Sequence, residues 1–261
     1  MEMELDLQDR AFIVTGASRG IGAATARLLA KEGAKLALVS RDADALDALR
    51  AQLPGEPQVI ACDMNAADSA ERIVQETHRQ FGRIDGLVNC AGATSGGDPL
   101  TLSEVAWRTS FELKFFATLR LITTVIPVMK AQGRGVVLTI GGNIGRQPNV
   151  YMLPGSAVGA ALHAINKGLA DATAAHGIRF HIFNPGPTRT ERLINYAQML
   201  AKQSGITVEQ AEQQLVKDAP QRRIADPAEM AAMIVWMLSD RFAAATGNSV
   251  TADGGWVKAA S

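Results

Sequence analysis

The run TGASRGIG (15–22) sets Gly16, Gly20 and Gly22 between an apolar strand pattern and a helical one. Glycine lets backbone approach a bound group, and the N-terminus of the helix that follows favours negative charge. The chemistry on offer is recognition of a pyrophosphate. A glycine trio alone is a weak signal, but its place between a first strand and a first helix strengthens it. A tight turn that simply requires glycine is the plainer alternative. Two guanidiniums flank this run: Arg19 inside it, and Arg41 just after the second apolar stretch, KLALVS (35–40). No carboxylate stands at Val39 or Ser40, where an acid would bond a ribose 2′-hydroxyl. Paired guanidiniums suit a phosphate dianion instead. Two solvated surface arginines are the alternative.

Elements that hold such a turn in place can be read along the chain. Apolar runs at 11–16, 35–40, 58–63, 85–92, 135–142, 178–186 and 248–255 have the length and continuity of buried strands. Helical spacing fills 21–33, 42–53, 68–82, about 101–129, 154–177 and 226–240. TLSE (101–104) reads as a capping box, with Thr101 as cap, and Pro127 should perturb the last turn of that helix. Asp226, Pro227 and Glu229 mark another helix start. Continuous apolar strands, each followed by a helix, mean a parallel sheet covered on both faces, an α/β fold. Residues 1–261 read as one domain. The least regular stretch, about 188–220, contains the amphipathic ERLINYAQMLAKQ and leaves the carboxyl end of the sixth strand. It is a candidate substrate lid.

Composition narrows the partners. Twenty-six basic and 26 acidic side chains give a formal net charge of zero, and 47% of residues are hydrophobic. That leaves no electrostatic footprint for nucleic acid and no basic stripe for a membrane surface. No stretch approaches the ~20 apolar residues of a membrane span. MEMELDLQDR lacks the basic region and apolar run of a signal peptide, so a cytoplasmic protein acting on a small molecule is expected. Cys62 and Cys90 follow apolar runs and read as inert core thiols. No His, Cys and carboxylate cluster has metal-ligand spacing, so no metal is expected.

With NCAG (89–92), NPGPTRT (184–190) and TADGG (251–255) following TGASRGIG in order, the chain resembles the short-chain dehydrogenase/reductases from about residue 8 to 256. The resemblance implies a doubly wound Rossmann fold with a seven-stranded parallel sheet. It implies that Gly16, Gly20 and Gly22 shape the phosphate loop, with Ser18 and Ile21 beside it. Asp63 would meet the adenine, helped by Met64. Asn89, Ala91 and Gly92 would line the adenosine ribose and brace the sheet; for Asn89 a purely bracing hydrogen bond is an equal alternative. Pro185, Gly186 and Thr188 would sit against the nicotinamide, with Thr190 a second candidate for its carboxamide. Arg19 and Arg41 then favour NADP over NAD as the coenzyme. Relatives often pair the helices corresponding to about 103–130 and 154–176, which implies a homodimer or homotetramer.

At the chemical end the resemblance breaks. The family's asparagine, serine, tyrosine and lysine fall, by register, on Lys114, Gly142, Gly155 and Gly159. Glycine has no proton to give, and general acid catalysis contributes about 10²–10⁴-fold. Lys114, which the analogy aims into the floor of the site, is the leading substitute as proton donor, oxyanion stabiliser or amine nucleophile. Its alternative is a structural bond to carbonyls of the neighbouring loop. Tyr151 lies four residues before the vacant tyrosine position and would need a bulge to swing inwards; a plain loop tyrosine is the alternative. His163 reads as helix packing and His181 as a satisfied core histidine, while Asn143 and Arg146 at the cleft could hold a carboxylate or carbonyl. The small residues at Gly155, Ala157, Gly159, Ala160 and Ala161 suit either close helix approach or an enlarged pocket. The expectations are therefore three: an NADP-dependent oxidoreductase with a non-standard acid, a catalytically silent NADP(H)-binding module, or a non-redox lyase or hydrolase using Lys114.

Overall fold

The computed structural model describes residues 4–258. Its strands are β1 (Ala11–Thr15), β2 (Lys35–Ser40), β3 (Gln58–Ala61), β4 (Gly86–Asn89), β5 (Gly135–Ile140), β6 (Ile178–Pro185) and β7 (Asn248–Ala252). They form one seven-stranded sheet in the order β3-β2-β1-β4-β5-β6-β7. Every pairing is parallel. The order reverses between β1 and β4, and the crevice beyond the carboxyl ends of those strands is where such sheets bind ligands.

The continuous apolar runs are explained by burial on both faces. On one face Phe12, Val14, Leu36 and Leu38 pack with Leu29 of α1 (Gly20–Lys31), Leu46 of α2 (Ala43–Arg50) and Ile234 of α9 (Pro227–Leu238). On the other, Ile13, Val39 and Leu87 pack with Ile73 of α3 (Ser69–Phe81), Leu121 of α5 (Ala117–Gln132) and Ala170 of α6 (Leu153–Thr173). α9 opens with the capping box expected from its sequence: the Asp226 carboxylate accepts from Ala228 N at 2.8 Å and Glu229 reaches back to the Asp226 amide.

One cap differs from expectation. α4 (Glu104–Phe111) is capped by Ser103, whose hydroxyl accepts from Ala106 N at 3.3 Å, while Thr101 stands in the preceding turn. Glu104 is then the first helical residue and pairs with Arg108 instead of reaching back to Thr101. α4 and α5 are one long helix interrupted by a π-turn at Glu112–Phe116, and α5 continues past Pro127 to Gln132. The irregular 188–220 stretch holds two helices, α7 (Glu191–Ser204) and α8 (Val208–Val216). They share a small core of Ala197, Ala201 and Ala211 with Leu200, Ile206 and Leu215 around it.

Candidate active site

The phosphate end is built by the turn from β1 into α1. Gly16 (φ +64°) packs so closely on the β4 loop that a Cβ there would stand 2.8 Å from Ala91 N, and one at Gly22 would run into the carbonyl of Gly16. Glycine is therefore required for the turn to close on itself. Arg19 is the N-cap residue of α1, with no side-chain cap and no acid in the first turn, so the helix end is left unshielded for an anion. Ser18 and Ile21 are half-buried beside it, and Arg19 and Arg41 are exposed. The acid nearest to β2 in sequence, Asp42, is committed elsewhere: it caps α2 through Ala45 N at 3.0 Å, and the Ser40 hydroxyl is tied to the Asp42 backbone. Open amides and two exposed guanidiniums, Arg41 and the Arg19 that pairs with Glu191 at 2.9 Å, with Asp42 committed to its cap, fit a phosphorylated dinucleotide.

The other motif residues divide between bracing and exposure to the crevice. Asn89 is 1% exposed and its amide nitrogen donates to Thr139 Oγ1 at 3.3 Å, so the bracing role is realised. Its Oδ1 has no partner among the described residues. Thr15 Oγ1 accepts from Cys90 N and Ala91 N at 3.2 and 3.1 Å, which fixes the β4 turn that leads to Gly92. Asp63 accepts from Asn65 N at 3.0 Å and Met64 is buried under the β3–α3 turn. Pro185 ends β6, and Gly186 lies so close to the TADGG turn that a Cβ would stand 2.6 Å from Asp253 Cα. The Asp253 carboxylate holds that turn through the amides of Gly255, Trp256 and Val257. Thr188 is buried and donates to Gly186 O at 3.0 Å. Thr190 caps α7 and lays its methyl 3.1 Å from the Cβ position of Gly20, which places it, of the two threonines, against the phosphate loop.

Lys114 sits in the middle of the π-turn. A π-turn adds a residue to the helical repeat and re-aims side chains, which is why such turns recur at functional sites. Here it carries the Lys114 stem against Gly92, 3.0 Å from where a Cβ would stand, and Nζ donates to Gly141 O at 2.7 Å. The bond to a neighbouring-loop carbonyl anticipated as the plainer alternative is therefore present, and it uses one of three donors. Burial, together with the charge of Arg192 nearby, pulls the ammonium down to about 8. A lysine so placed is charged at neutral pH yet close to giving up its proton.

The glycine positions are not empty. A Cβ at Gly155 would stand 2.8 Å from Thr94 Oγ1 and 3.0 Å from Ile144 Cδ1; one at Gly159 would stand 2.7 Å from Gly145 Cα. At Gly141 the Asn184 side-chain oxygen already occupies the space, and the same oxygen accepts from Gly142 N at 3.1 Å. Asn184 is itself held through Nδ2 by Ser249 at 2.8 Å and Thr251 at 3.4 Å. The enlarged pocket considered from the sequence is thus not found: the room has been taken by Thr94, Ile144, Gly145 and Asn184. The close approach at Gly159 is to the chain's own β5–α6 loop, not to another helix.

Of the remaining candidates, Tyr151 is not drawn inwards. It lies in a 3₁₀ turn (Val150–Met152), 66% exposed, while its backbone carbonyl accepts from Gly97 N at 2.9 Å. His163 is half-buried; burial lowers its pKa, Asn184 raises it, and Arg146 lowers it. Asn143 is buried in a short 3₁₀ turn after β5, and Arg146 ends that turn and lines a cleft of about 710 Å³ with Pro187, Gln221 and Asp253. His181 is fully buried against Phe242 and, among the described residues, neither ring nitrogen has a hydrogen-bond partner, a correction to its reading as satisfied; burial and Arg179 hold it neutral, with a pKa of about 4. Burial pushes the Cys90 thiol up to about 12 and raises Cys62 too. Sequence reasoning missed Thr94, Ile144, Asn184 and Arg192. Asn184 alone carried a signal, standing inside the NPGPTRT motif without an assigned role.

Among the described residues no group of three His, Cys, Asp or Glu could hold a metal ion, and no helix is long and apolar enough to cross a membrane. A family model described as enoyl-(acyl carrier protein) reductase matches residues 16–257. An A-factor type gamma-butyrolactone 1′-reductase (1S-forming) of Streptomyces virginiae is 32% identical, covering 96% of this chain and 96% of its own. The NADPH-dependent reductase BacG of Bacillus subtilis (strain 168) is 29% identical over 97% of this chain and 99% of its own. Among solved structures, L-sorbose reductase from Gluconobacter frateurii, complexed with NADPH and L-sorbose, superposes with a TM-score of 0.94 at 30% identity, covering 99% of this chain and 100% of that one.

Proposed function

The chain belongs to the short-chain dehydrogenase/reductase family, and from that premise we propose that it is an NADP-dependent oxidoreductase in which Lys114, not a tyrosine, serves the substrate oxygen. The observation that carries this reading is the Lys114 ammonium. It is held at 2.7 Å on Gly141 O by a π-turn and has its pKa drawn to about 8. The coenzyme follows from the unshielded α1 end, from Arg19 and Arg41, and from the NADPH-dependent and NADPH-complexed relatives. Gly16, Ser18, Gly20, Ile21 and Gly22 would hold its pyrophosphate. Asp63, Met64, Ala91 and Gly92 would border the adenosine, and Pro185, Gly186, Thr188 and Thr190 the nicotinamide side.

When bound, the nicotinamide supplies a hydride to an activated carbonyl or conjugated alkene. Lys114 keeps one donor on Gly141 O and has two left for the substrate oxygen, which takes one proton as the hydride arrives at carbon; water then returns a proton to the amine. The π-turn orients this donor, and Asn184 fixes the adjoining loop through Gly142 N. α7 and α8 close over the crevice as a lid. Exposed Leu100, Val105 and Phe116 at the α4–α5 side favour pairing of subunits through the helices at about 103–130 and 154–176.

The experiment is a panel of carbonyl and enone substrates followed at the NADPH absorbance. Stoichiometric NADPH oxidation with any substrate supports the reading; tight NADPH binding without oxidation across the panel replaces it with a coenzyme-binding module that does no chemistry. One observation favours that second reading: Lys114 is already bonded to Gly141 O. Turnover unaffected by removal of nucleotide would instead favour a Lys114 lyase or hydrolase.

A further inference from the structure

The α7–α8 pair is fastened to the rest of the protein by one ion pair among the described residues, and that pair uses a coenzyme-recognition arginine. Arg19 Nη1 meets Glu191 Oε2 at 2.9 Å. Arg19 is the N-cap of α1 and Glu191 the first residue of α7. The neighbouring residue, Thr190, rests its methyl over Gly20 of the phosphate loop, so the bridge spans two surfaces already in contact. Arg189, just before α7, is engaged within the segment by both oxygens of Glu212 at 2.9 and 3.1 Å, and Arg192 of α7 lies by Lys114. Glu191 therefore is the acid that faces outwards to the loop.

We propose that Glu191 is an internal competitor for the coenzyme's 2′-phosphate: the carboxylate occupies Arg19 until a 2′-phosphate displaces it, and the displacement unfastens α7. This rests on the NADP reading above. A phosphate carries about −1.5 to −2 charges and three acceptor oxygens near neutral pH, so it outcompetes a single carboxylate for a guanidinium. Once Arg19 has turned to the phosphate, Glu191 is left beside a like charge, and the first turn of α7 is pushed from the loop. A coenzyme with a plain 2′-hydroxyl has nothing to exchange for the ion pair and leaves the segment fastened. Glu191 thus acts through Arg19 and makes the position of the lid depend on which coenzyme is bound. The two partners are 71% and 59% exposed, so the competition is modest in size and sensitive to salt.

The test is a double-mutant cycle read by binding. Wild type, Glu191→Gln, Arg19→Gln and the double variant are titrated calorimetrically with NADPH, NADH, 2′,5′-ADP and 5′-AMP. Glu191→Gln is expected to bind NADPH and 2′,5′-ADP roughly two- to fivefold more tightly, the range of an exposed ion pair. It should leave NADH and 5′-AMP unchanged and have no effect once Arg19 is gone. Amide exchange across residues 191–204 should speed up with 2′,5′-ADP and not with 5′-AMP. Unchanged or weaker NADPH binding by Glu191→Gln, an equal gain for NADH, or exchange indifferent to the 2′-phosphate overturns the proposal while leaving an NADPH-preferring wild type intact. A wild type that holds NADH as tightly as NADPH removes the coenzyme reading and this inference together.

Discussion

Two glycine-rich stretches of the chain do opposite things. In the turn from β1 to α1, glycine lets the backbone fold on itself and leaves the helix end with no side-chain cap. On α6, Gly155 and Gly159 face inwards, and Thr94, Ile144 and Gly145 of the same chain have moved up against them. In the first stretch the missing side chain exposes donors; in the second it admits neighbouring protein. The residue type is the same, and only the atoms around the absent Cβ distinguish a binding loop from a packing contact.

The contrast breaks most visibly at Lys114. Lys114→Met should lower turnover by about 10²–10³-fold while leaving NADPH affinity within a factor of about two, measured by single-turnover kinetics and fluorescence titration. Equal turnover in the folded variant would remove Lys114 from the chemistry. The closed state of the glycine helix is tested within that helix. Gly159→Ala forces a Cβ to 2.7 Å from Gly145 Cα and should cost about 1–3 kcal/mol in thermal or urea unfolding. Gly168→Ala, on the exposed side of α6 with no atom within 4 Å of the new Cβ, should stabilise by about 0.5–1 kcal/mol. The same chemical change with opposite signs is the signature of packing against backbone.

The pH profile gives the next largest effect. The Lys114 pKa is lowered from 10.5 to about 8, so its proton is present below that pH and lost above it. Reduction rates that depend on the proton should be flat from about pH 6 to 7.5 and fall roughly tenfold per unit above the pKa. A profile that stays level to pH 10 would assign the proton to another donor. At the phosphate end, Arg19→Gln should weaken NADPH by about three- to tenfold and NADH by less than twofold, seen in the same titrations. Equal losses for both coenzymes would move Arg19 away from the 2′ position.

The sheet and its order of elements were legible because burial on both faces leaves uninterrupted apolar runs, and the phosphate turn because its glycines occur at a fixed place between a strand and a helix. Gly142, Gly155 and Gly159 could be singled out by counting along the resemblance. What fills the space beside them could not. Ile144 and Thr94 approach Gly155 from two different loops, and Asn184 reaches Gly141 from a strand some forty residues later; no local period records such meetings. The cap at Ser103 was misread for a smaller reason: Thr101 and Ser103 both offer a hydroxyl before an apolar stretch, and only backbone geometry chooses between them. Likewise the π-turn leaves no composition signal, although it decides where Lys114 points.

The contact between Gly145 and Gly159 also limits which neighbours in mutational space are open to the chain. A side chain at Gly155 meets only the tips of Thr94 and Ile144, which can turn aside, whereas one at Gly159 meets the backbone of Gly145. A side chain at Gly159 therefore requires the β5–α6 connection to shift with it. Single-letter reversion is therefore a poor assay of ancestry or latent activity in this protein, and transplanting the connection together with both side chains is the informative graft.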